Sequence, residues 1–94
     1  MDPKLTKELQ EIIWQHLDKN IYQAFIFGSR ATGTNRKYSD IDIGIKGPIL
    51  DIVTLAKIKS AFEESTLPYN VDVVDFNYTS EQFQKVALAN IIYL

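Results

Sequence analysis

Apolar side chains recur along the chain with two different periods, and these periods predict the elements. Between Leu5 and Leu17 the apolar residues return every three or four positions, which is the spacing of one helix face. Asp2 and Pro3 stand immediately before this pattern, as an N-cap and a first helical residue often do. We therefore expect an amphipathic helix over residues 3–18.

Three short segments have the composition of strands. Residues 21–27 read IYQAFIF, which is rich in β-branched and aromatic side chains and too short for a buried helix. Residues 40–45 read DIDIGI, and strict alternation places the isoleucines on one face and the polar or small residues on the other. Residues 71–76 read VDVVDF and form the third predicted strand.

Two further helices are predicted, one over residues 53–65 and one from about residue 81 to near the end of the chain. Thr79 with Gln82 three positions later fits the capping box that starts the last helix. The order of strands and helices predicts one domain over residues 1–94. Its fold class is α/β (α+β), a small mixed sheet flanked by helices.

Composition narrows the classes of function. The 94 residues are 46% hydrophobic and 23% charged, as in a soluble globular domain. A net charge of -2 leaves no broad basic surface, so strong nucleic-acid binding is not expected. The chain has no cysteine and one histidine, His16, so a bound metal must use oxygen ligands. No apolar stretch is long enough to cross a membrane, and the cytoplasm is the expected compartment.

Three aspartates stand at strand positions where an unpaired buried charge would be costly. Asp40 and Asp42 project from one face of the second strand, with Cα atoms about 6.6 Å apart by the rise per residue. If the third strand lies beside the second, Asp72 completes an all-oxygen site, which favours Mg²⁺ or Mn²⁺ over zinc. Two such ions about 3.5 to 4 Å apart support in-line phosphoryl transfer. Asp75 points to the other face, where we expect a solvent-exposed strand end.

A glycine and a serine follow the first strand, at the start of a short predicted turn or helix that extends to Gly33. Gly28 has no Cβ and lets a phosphate approach the backbone, and Ser29 adds a hydroxyl and N–H groups. Arg30 adds a charge partner for phosphate. A Gly-Ser pair by itself is a common turn. The spacing of Gly28-Ser29 from Asp40 is what indicates a phosphate-binding site.

Gly28-Ser29, ten intervening residues and Asp40-x-Asp42 resemble the motif of the DNA polymerase β-like nucleotidyltransferase superfamily. In this resemblance Asp72 takes the place of the third, strand-borne carboxylate. The implied fold is the polymerase β-like nucleotidyltransferase fold.

The longer run FIFGSRATGTNRKYSDIDIGI, in which Ser39 precedes the aspartates, resembles the minimal nucleotidyltransferase (MNT) family of short prokaryotic proteins. The resemblance covers essentially the whole chain. Thr32 departs from it, because many relatives carry a basic residue at that position, and the change would weaken phosphate contact.

The resemblance implies a role for each matching residue. Asp40 and Asp42 would bind two metal ions, and Asp72 would bind the catalytic ion beside the attacking hydroxyl. All three are therefore expected catalytic residues and metal ligands. Four residues are expected to bind the nucleotide: Gly28, Ser29, Arg30 and Ser39.

The resemblance also implies an activity and a partner. The expected enzyme moves AMP from ATP, or a nucleoside monophosphate from another nucleoside triphosphate, onto a hydroxyl with Mg²⁺ as cofactor. Family members are often encoded beside a HEPN-domain protein, so the implied acceptor is a tyrosine of a HEPN toxin and this chain is its antitoxin. Two alternatives stay open: transfer to a small molecule such as an aminoglycoside with a partner supplying the substrate site, or neutralisation of a partner by contact alone.

Apolar side chains exceed what one core face needs at Trp14 and over residues 91–94. Because contiguous exposed apolar surface tends to mark binding sites, this excess predicts an interface with a protein partner. A homodimer contact is the alternative occupant of the same surface.

Overall fold

The computed structural model describes residues 1–94 and contains nine elements. In chain order they are α1 (Pro3–His16), β1 (Gln23–Phe27), α2 (Ser29–Thr32), β2 (Ile41–Lys46), α3 (Ile52–Glu64), β3 (Val71–Asp75), a 3-10 turn (Phe76–Tyr78), α4 (Glu81–Ala87) and β4 (Ile92–Tyr93). The four strands form one sheet in the order β3-β2-β1-β4. The pair β2 and β3 is parallel, whereas β1 runs antiparallel to both β2 and β4. The predicted mixed sheet flanked by helices is confirmed.

The first helix follows its sequence signals closely. The Asp2 carboxylate accepts a hydrogen bond from the Lys4 N–H at 3.0 Å, and Pro3 occupies the first turn, where its missing N–H has no helical partner. The helix ends at His16, two residues before the predicted end, because Leu17 is extended with φ −126° and ψ 147°. Leu17 is buried, so the chain leaves the helix toward the core.

The end of the chain differs from the prediction. The last helix stops at Ala87, and a short strand, β4, follows and pairs with β1. Ile92 packs against the main core and Leu94 is buried, and the Leu94 N–H donates to a β1 carbonyl at 2.9 Å. Strand pairing satisfies backbone groups on the β1 edge that a continued helix would leave open. Most of the terminal apolar run is therefore used inside the fold, and Tyr93 remains exposed.

One face of the sheet holds the aliphatic core. Ile41, Ile43 and Ile45 alternate along β2 and are fully buried on this face. Helices α1 and α3 cover it and pack against each other. The other buried members of this core are Leu5, Leu9, Ile13, Leu17, Ala24, Ile26, Leu50, Ile58, Phe62, Val73 and Leu94.

The opposite face is aromatic and smaller. The Phe25 and Phe76 rings meet edge to face with centroids 4.9 Å apart, and Phe27 meets Phe76 in the same way at 5.4 Å. Gly44 lies beneath these rings, because a Cβ there would collide with Phe25 and Phe76. Residues of α4 pack on this cluster from outside. None of the helices has the length and apolarity that a membrane crossing requires.

Candidate active site

The sheet register brings two carboxylates side by side. Asp42 on β2 and Asp72 on β3 are direct partners in the parallel pairing, and neighbouring strands lie about 4.8 Å apart. Asp40 stands one residue before β2, and alternation places it on the same side as Asp42. The three aspartates therefore share the end of the sheet at which β2 and β3 begin.

Asp42 is the electrostatically strained member of this group. Partial burial raises the pKa of its carboxyl above the usual range, and the negative charges of Asp72 and Asp40 raise it further. Both charged groups that act on Asp42 are acidic, so a cation among the three would relieve the repulsion. Groups perturbed by burial and like charge in this way are common at functional sites.

The residue that follows β1 is a glycine, and it lies next to the Asp42 carboxylate. Phe27, the last residue of β1, is the register partner of Asp42, and Gly28 follows it with φ +76°. Residues with a side chain rarely adopt that backbone conformation, and a Cβ at Gly28 would lie 2.7 Å from Asp42 Oδ2. Both the turn and the close approach thus require glycine at this position.

Ser29 opens the four-residue helix α2, directly after Gly28. Its carbonyl closes the turn by accepting hydrogen bonds from the Thr34 N–H at 2.9 Å and from the Thr32 hydroxyl at 3.1 Å. Its side chain is half-buried next to Gly28. The Thr32 hydroxyl therefore stabilises this turn.

Arg30 and Ser39 contact each other. The Arg30 guanidinium donates to the Ser39 carbonyl from Nη2 at 2.7 Å and from Nε at 3.3 Å. It also lies over the Tyr69 ring, 4.5 Å from the ring centre. The Ser39 hydroxyl oxygen is buried and has no hydrogen-bond partner. Two residues predicted to bind the nucleotide, Arg30 and Ser39, are therefore hydrogen-bonded to each other. The Arg30 guanidinium contacts the protein through these bonds and through the Tyr69 ring.

Asp75 does not occupy the predicted solvent position. It lies on the face opposite Asp72, as alternation requires, but it is only 6% exposed. Its Oδ2 accepts from the Leu50 N–H at 3.0 Å, and its Oδ1 accepts from the Asn77 N–H at 2.9 Å and Nδ2 at 2.8 Å. The prediction was wrong because the Leu50 donor comes from a loop 25 residues earlier in the chain.

A polar cavity of about 420 Å³ adjoins the carboxylates. Asp40 and Asp72 line it, and no lysine or arginine does. Its volume suits a side chain or a small acceptor molecule. A larger groove of about 530 Å³ lies elsewhere, between His16 and α3, and contains none of the three aspartates. The remaining lining of the polar cavity is Phe62, Glu63, Leu67, Tyr69, Asn70 and Val71.

The donor set fits a hard divalent cation. All three candidates are carboxylates, whose oxygen atoms are the ligands preferred by Mg²⁺. No three acidic or imidazole side chains converge on a single ion position in this structure. Asp40 and Asp72 are exposed, so their side chains are free to change rotamer around an ion beside Asp42.

Comparison with known proteins gives a family match over most of the chain. The family model described as polymerase beta, nucleotidyltransferase matches residues 7–94. A Haemophilus influenzae protein named probable protein adenylyltransferase MntA is 42% identical over 66 residues. The matched segment covers 69% of this chain and 58% of that protein, so the likeness spans little more than half of the relative.

Solved structures share the fold. A chain of a toxin-antitoxin crystal structure with AMP-PNP has a TM-score of 0.74 at 23% identity, over 93% of this chain and 69% of that one. A chain of the complex between a tri-AMPylated Shewanella oneidensis HEPN toxin and an MNT antitoxin has a TM-score of 0.67 at 19% identity, over 93% and 66%. A chain described as a candidate minimal nucleotidyltransferase has a TM-score of 0.72 at 24% identity and covers 100% of this chain and 97% of its own length.

Proposed function

The chain belongs to the polymerase β nucleotidyltransferase family, and from that premise we propose that it transfers AMP from ATP to a hydroxyl group with Mg²⁺ as cofactor. The observation that supports this most is the meeting of three chain segments at Asp42. Asp72 is the register partner of Asp42, the negative charge of Asp40 raises the pKa of Asp42, and Gly28 leaves room for the Asp42 carboxylate. In this proposal the Gly28-Ser29 turn would bind the phosphates, and the cavity beside Asp72 would receive the acceptor.

The carboxylates have distinct tasks in this proposal. Asp40 and Asp42 would hold two ions and Asp72 would hold one of them. Bound there, the divalent cations would supply charge neutralisation of the triphosphate and polarisation of its α-phosphate. The Gly28-Ser29 turn would place a bare Cα and a hydroxyl beside the phosphates.

Asp72 lines the polar cavity, so it would face the acceptor. It would orient the acceptor hydroxyl and take its proton as the oxygen attacks in line. A bond then forms between the acceptor oxygen and the α-phosphorus, and the bond from the α-phosphorus to the bridging oxygen breaks. Pyrophosphate leaves, and AMP remains on the acceptor.

The proposed acceptor is a tyrosine of a HEPN-type partner, which makes this chain an antitoxin. Support comes from the Haemophilus relative, named a probable protein adenylyltransferase, and from the fold shared with chains of toxin-antitoxin complexes. The cavity beside Asp72 has the volume that an inserted side chain needs. Partner and target residue rest on these relatives, so they are the first statements to test.

The test is transfer of labelled α-phosphate from ATP, with Mg²⁺, to the protein encoded by the neighbouring gene. The wild type is compared with an Asp40→Asn, Asp42→Asn double variant and with Asp18→Asn, an exposed carboxylate after α1, as a matched control. We expect label on a partner tyrosine with the wild type and with Asp18→Asn, and none with the double variant. Label that persists in the double variant would overturn the catalytic assignment.

The same experiment separates the two alternatives. Pyrophosphate release that depends on an added aminoglycoside, with no label on protein, would assign a small-molecule acceptor. Neutralisation of the partner by the double variant, to the same extent as by the wild type, would assign inhibition by contact without transfer.

A further inference from the structure

We infer that Arg30 is a positioning residue that braces the three segments of the active site, and that it is not a ligand of the triphosphate. The inference deepens the proposed function and rests on it for its kinetic readout. Arg30 belongs to α2, directly after Ser29. Its guanidinium contacts Ser39, the residue before Asp40, and Tyr69, three residues before Asp72.

Asp40 lies between two long-range contacts. On one side, the carbonyl of Ser39 accepts both hydrogen bonds from Arg30. On the other side, the N–H of Ile41 donates to the Asn70 carbonyl at 2.9 Å. Residues 34–40 form no helix or strand, so the loop itself supplies no regular backbone ladder. On the N-terminal side of Asp40, the Ser39 N–H donates to the Arg36 carbonyl at 3.2 Å, a bond that stays within the loop. Arg30 therefore ties this side of Asp40 to another element, the helix α2.

Arg30 also reaches the segment that leads into β3. The guanidinium carbon lies over the half-buried Tyr69 ring, 4.5 Å from the ring centre. The next residue, Asn70, accepts the hydrogen bond from the Ile41 N–H. A planar, permanently charged group can stack on a ring and donate along its edge at the same time, whereas a lysine ammonium cannot. The brace thus depends on arginine chemistry and on an aromatic ring at position 69.

Two observations separate this role from charge recognition. The Nε and Nη2 donors form the edge that an arginine uses for bidentate phosphate binding, and both point at the Ser39 carbonyl. The hydrogen bonds of the guanidinium go to the Ser39 backbone carbonyl and its remaining contact is with the Tyr69 ring, so its described contacts are not with the carboxylates. Its contribution is the placement of backbone.

The test compares Arg30→Lys, Tyr69→Leu, their double variant, and Tyr69→Phe as the matched control that retains the ring. For Arg30→Lys and Tyr69→Leu we expect kcat to fall roughly tenfold or more with KM for ATP within about twofold. The Mg²⁺ concentration for half-maximal rate should rise, because Asp40 is displaced. Tyr69→Phe keeps the ring and should keep the wild-type Mg²⁺ dependence. The double variant should be no worse than Arg30→Lys, because both single changes break one brace.

A brace and a phosphate ligand give opposite results. A rise in KM for ATP of tenfold or more in Arg30→Lys, with kcat unchanged and Tyr69→Leu active as the wild type, would overturn the inference. An activity loss that only follows the unfolded fraction, with unchanged Mg²⁺ dependence, would also overturn it.

A second readout does not depend on activity. Amide hydrogen exchange at Ile41 should accelerate in Arg30→Lys and Tyr69→Leu and stay at the wild-type rate in Tyr69→Phe. If the wild type transfers no nucleotide, the proposed function fails, and the exchange rates still decide whether Arg30 braces the loop. Unchanged exchange at Ile41 in both disruptive variants would contradict the brace.

Discussion

The strand β3 carries an aspartate near each end, and the two have opposite surroundings. Asp75 is buried and accepts three N–H hydrogen bonds, from Leu50 and from the backbone and side chain of Asn77. Asp72 is exposed, and its register partner is Asp42, a second carboxylate. A carboxylate surrounded by N–H donors holds loops together, whereas one that faces other carboxylates is available for a cation.

The cluster of Asp40, Asp42 and Asp72 also lowers the stability of the folded state. Because the pKa of Asp42 is raised, the folded state holds its proton more tightly than the unfolded chain does. Above the raised pKa, where the carboxyl is ionised, the folded state carries this penalty. Stability from this group therefore increases as the pH falls through the raised pKa. The carboxylates around Asp42 thus lower the stability of the folded state and are available to a cation. Asp75, at the other end of β3, stabilises the fold through its hydrogen bonds.

The largest expected effect is on activity. Asp42→Asn should lower AMP transfer by roughly a thousandfold, because it removes the carboxylate at the centre of the site. Asp75→Asn keeps an oxygen acceptor for Leu50 and should retain transfer within about threefold per folded molecule. Initial rates of labelled transfer, corrected for the folded fraction, measure both. Equal losses in the two variants would contradict the division of roles.

The next effect is on stability. Asp75→Ala leaves the buried Leu50 N–H and two donors of Asn77 without their acceptor, and should lower the free energy of unfolding by about 2 to 4 kcal/mol. Asp72→Ala is the matched change on the same strand, and should alter it by less than about 0.5 kcal/mol. Urea denaturation of both variants provides the comparison. A larger loss for Asp72→Ala would reverse the account.

Two glycines with positive φ sharpen the comparison further. Gly33 has φ +75° and ψ 14°, the left-handed helical region, where alanine should cost about 1 to 2 kcal/mol of unfolding free energy. Gly28 has φ +76° and ψ −153°, a region that essentially only glycine adopts, so alanine there should cost more. Only at Gly28 does the added Cβ meet Asp42, since nothing lies within 4 Å at Gly33. Gly28→Ala should therefore also lose transfer activity by roughly tenfold or more, and Gly33→Ala should not. Similar activities would show that the contact with Asp42 is unimportant.

The smallest effect is a gain. Without divalent cations, Asp42→Asn removes a partly buried negative charge between two others, so its Tm should rise. Because solvent screens these charges, the rise should stay below roughly 4 °C, the shift that about 1 kcal/mol produces in a domain of this size. The wild type should approach this Tm when Mg²⁺ is added. Differential scanning calorimetry with and without Mg²⁺ measures both changes, and a lower Tm for the variant in metal-free buffer would contradict the proposed repulsion.

Local sequence patterns predicted the parts of the fold that depend on neighbouring residues. Alternation in β2 identified the buried isoleucines, and Asp2 marked the start of α1. The strand β4 was missed, because two residues become a strand only through pairing with β1. The predicted N-cap of the last helix, Thr79, was wrong by one position. Ser80 is the N-cap, and its hydroxyl oxygen accepts a hydrogen bond from the Phe83 N–H.

The same limit applies to the site. The positions of the aspartates followed from strand alternation and the order of the elements. The contacts that explain Asp75 and Arg30 join residues that are distant in sequence, such as Leu50 with Asp75 and Arg30 with Tyr69. No local period encodes such pairs. Sequence identifies a charged side chain, and the fold decides whether it meets N–H donors, an aromatic ring or other charges.

The central claim is that Asp42 and its two neighbours form a divalent cation site, and Mn²⁺ locates such a site directly. In ¹⁵N spectra, substoichiometric Mn²⁺ should broaden the amide resonances of Gly28, Asp42 and Asp72 first. The broadening at these residues should disappear in Asp42→Asn and persist in Asp75→Asn. Broadening that survives in Asp42→Asn, or that centres on acidic residues elsewhere, would contradict the account.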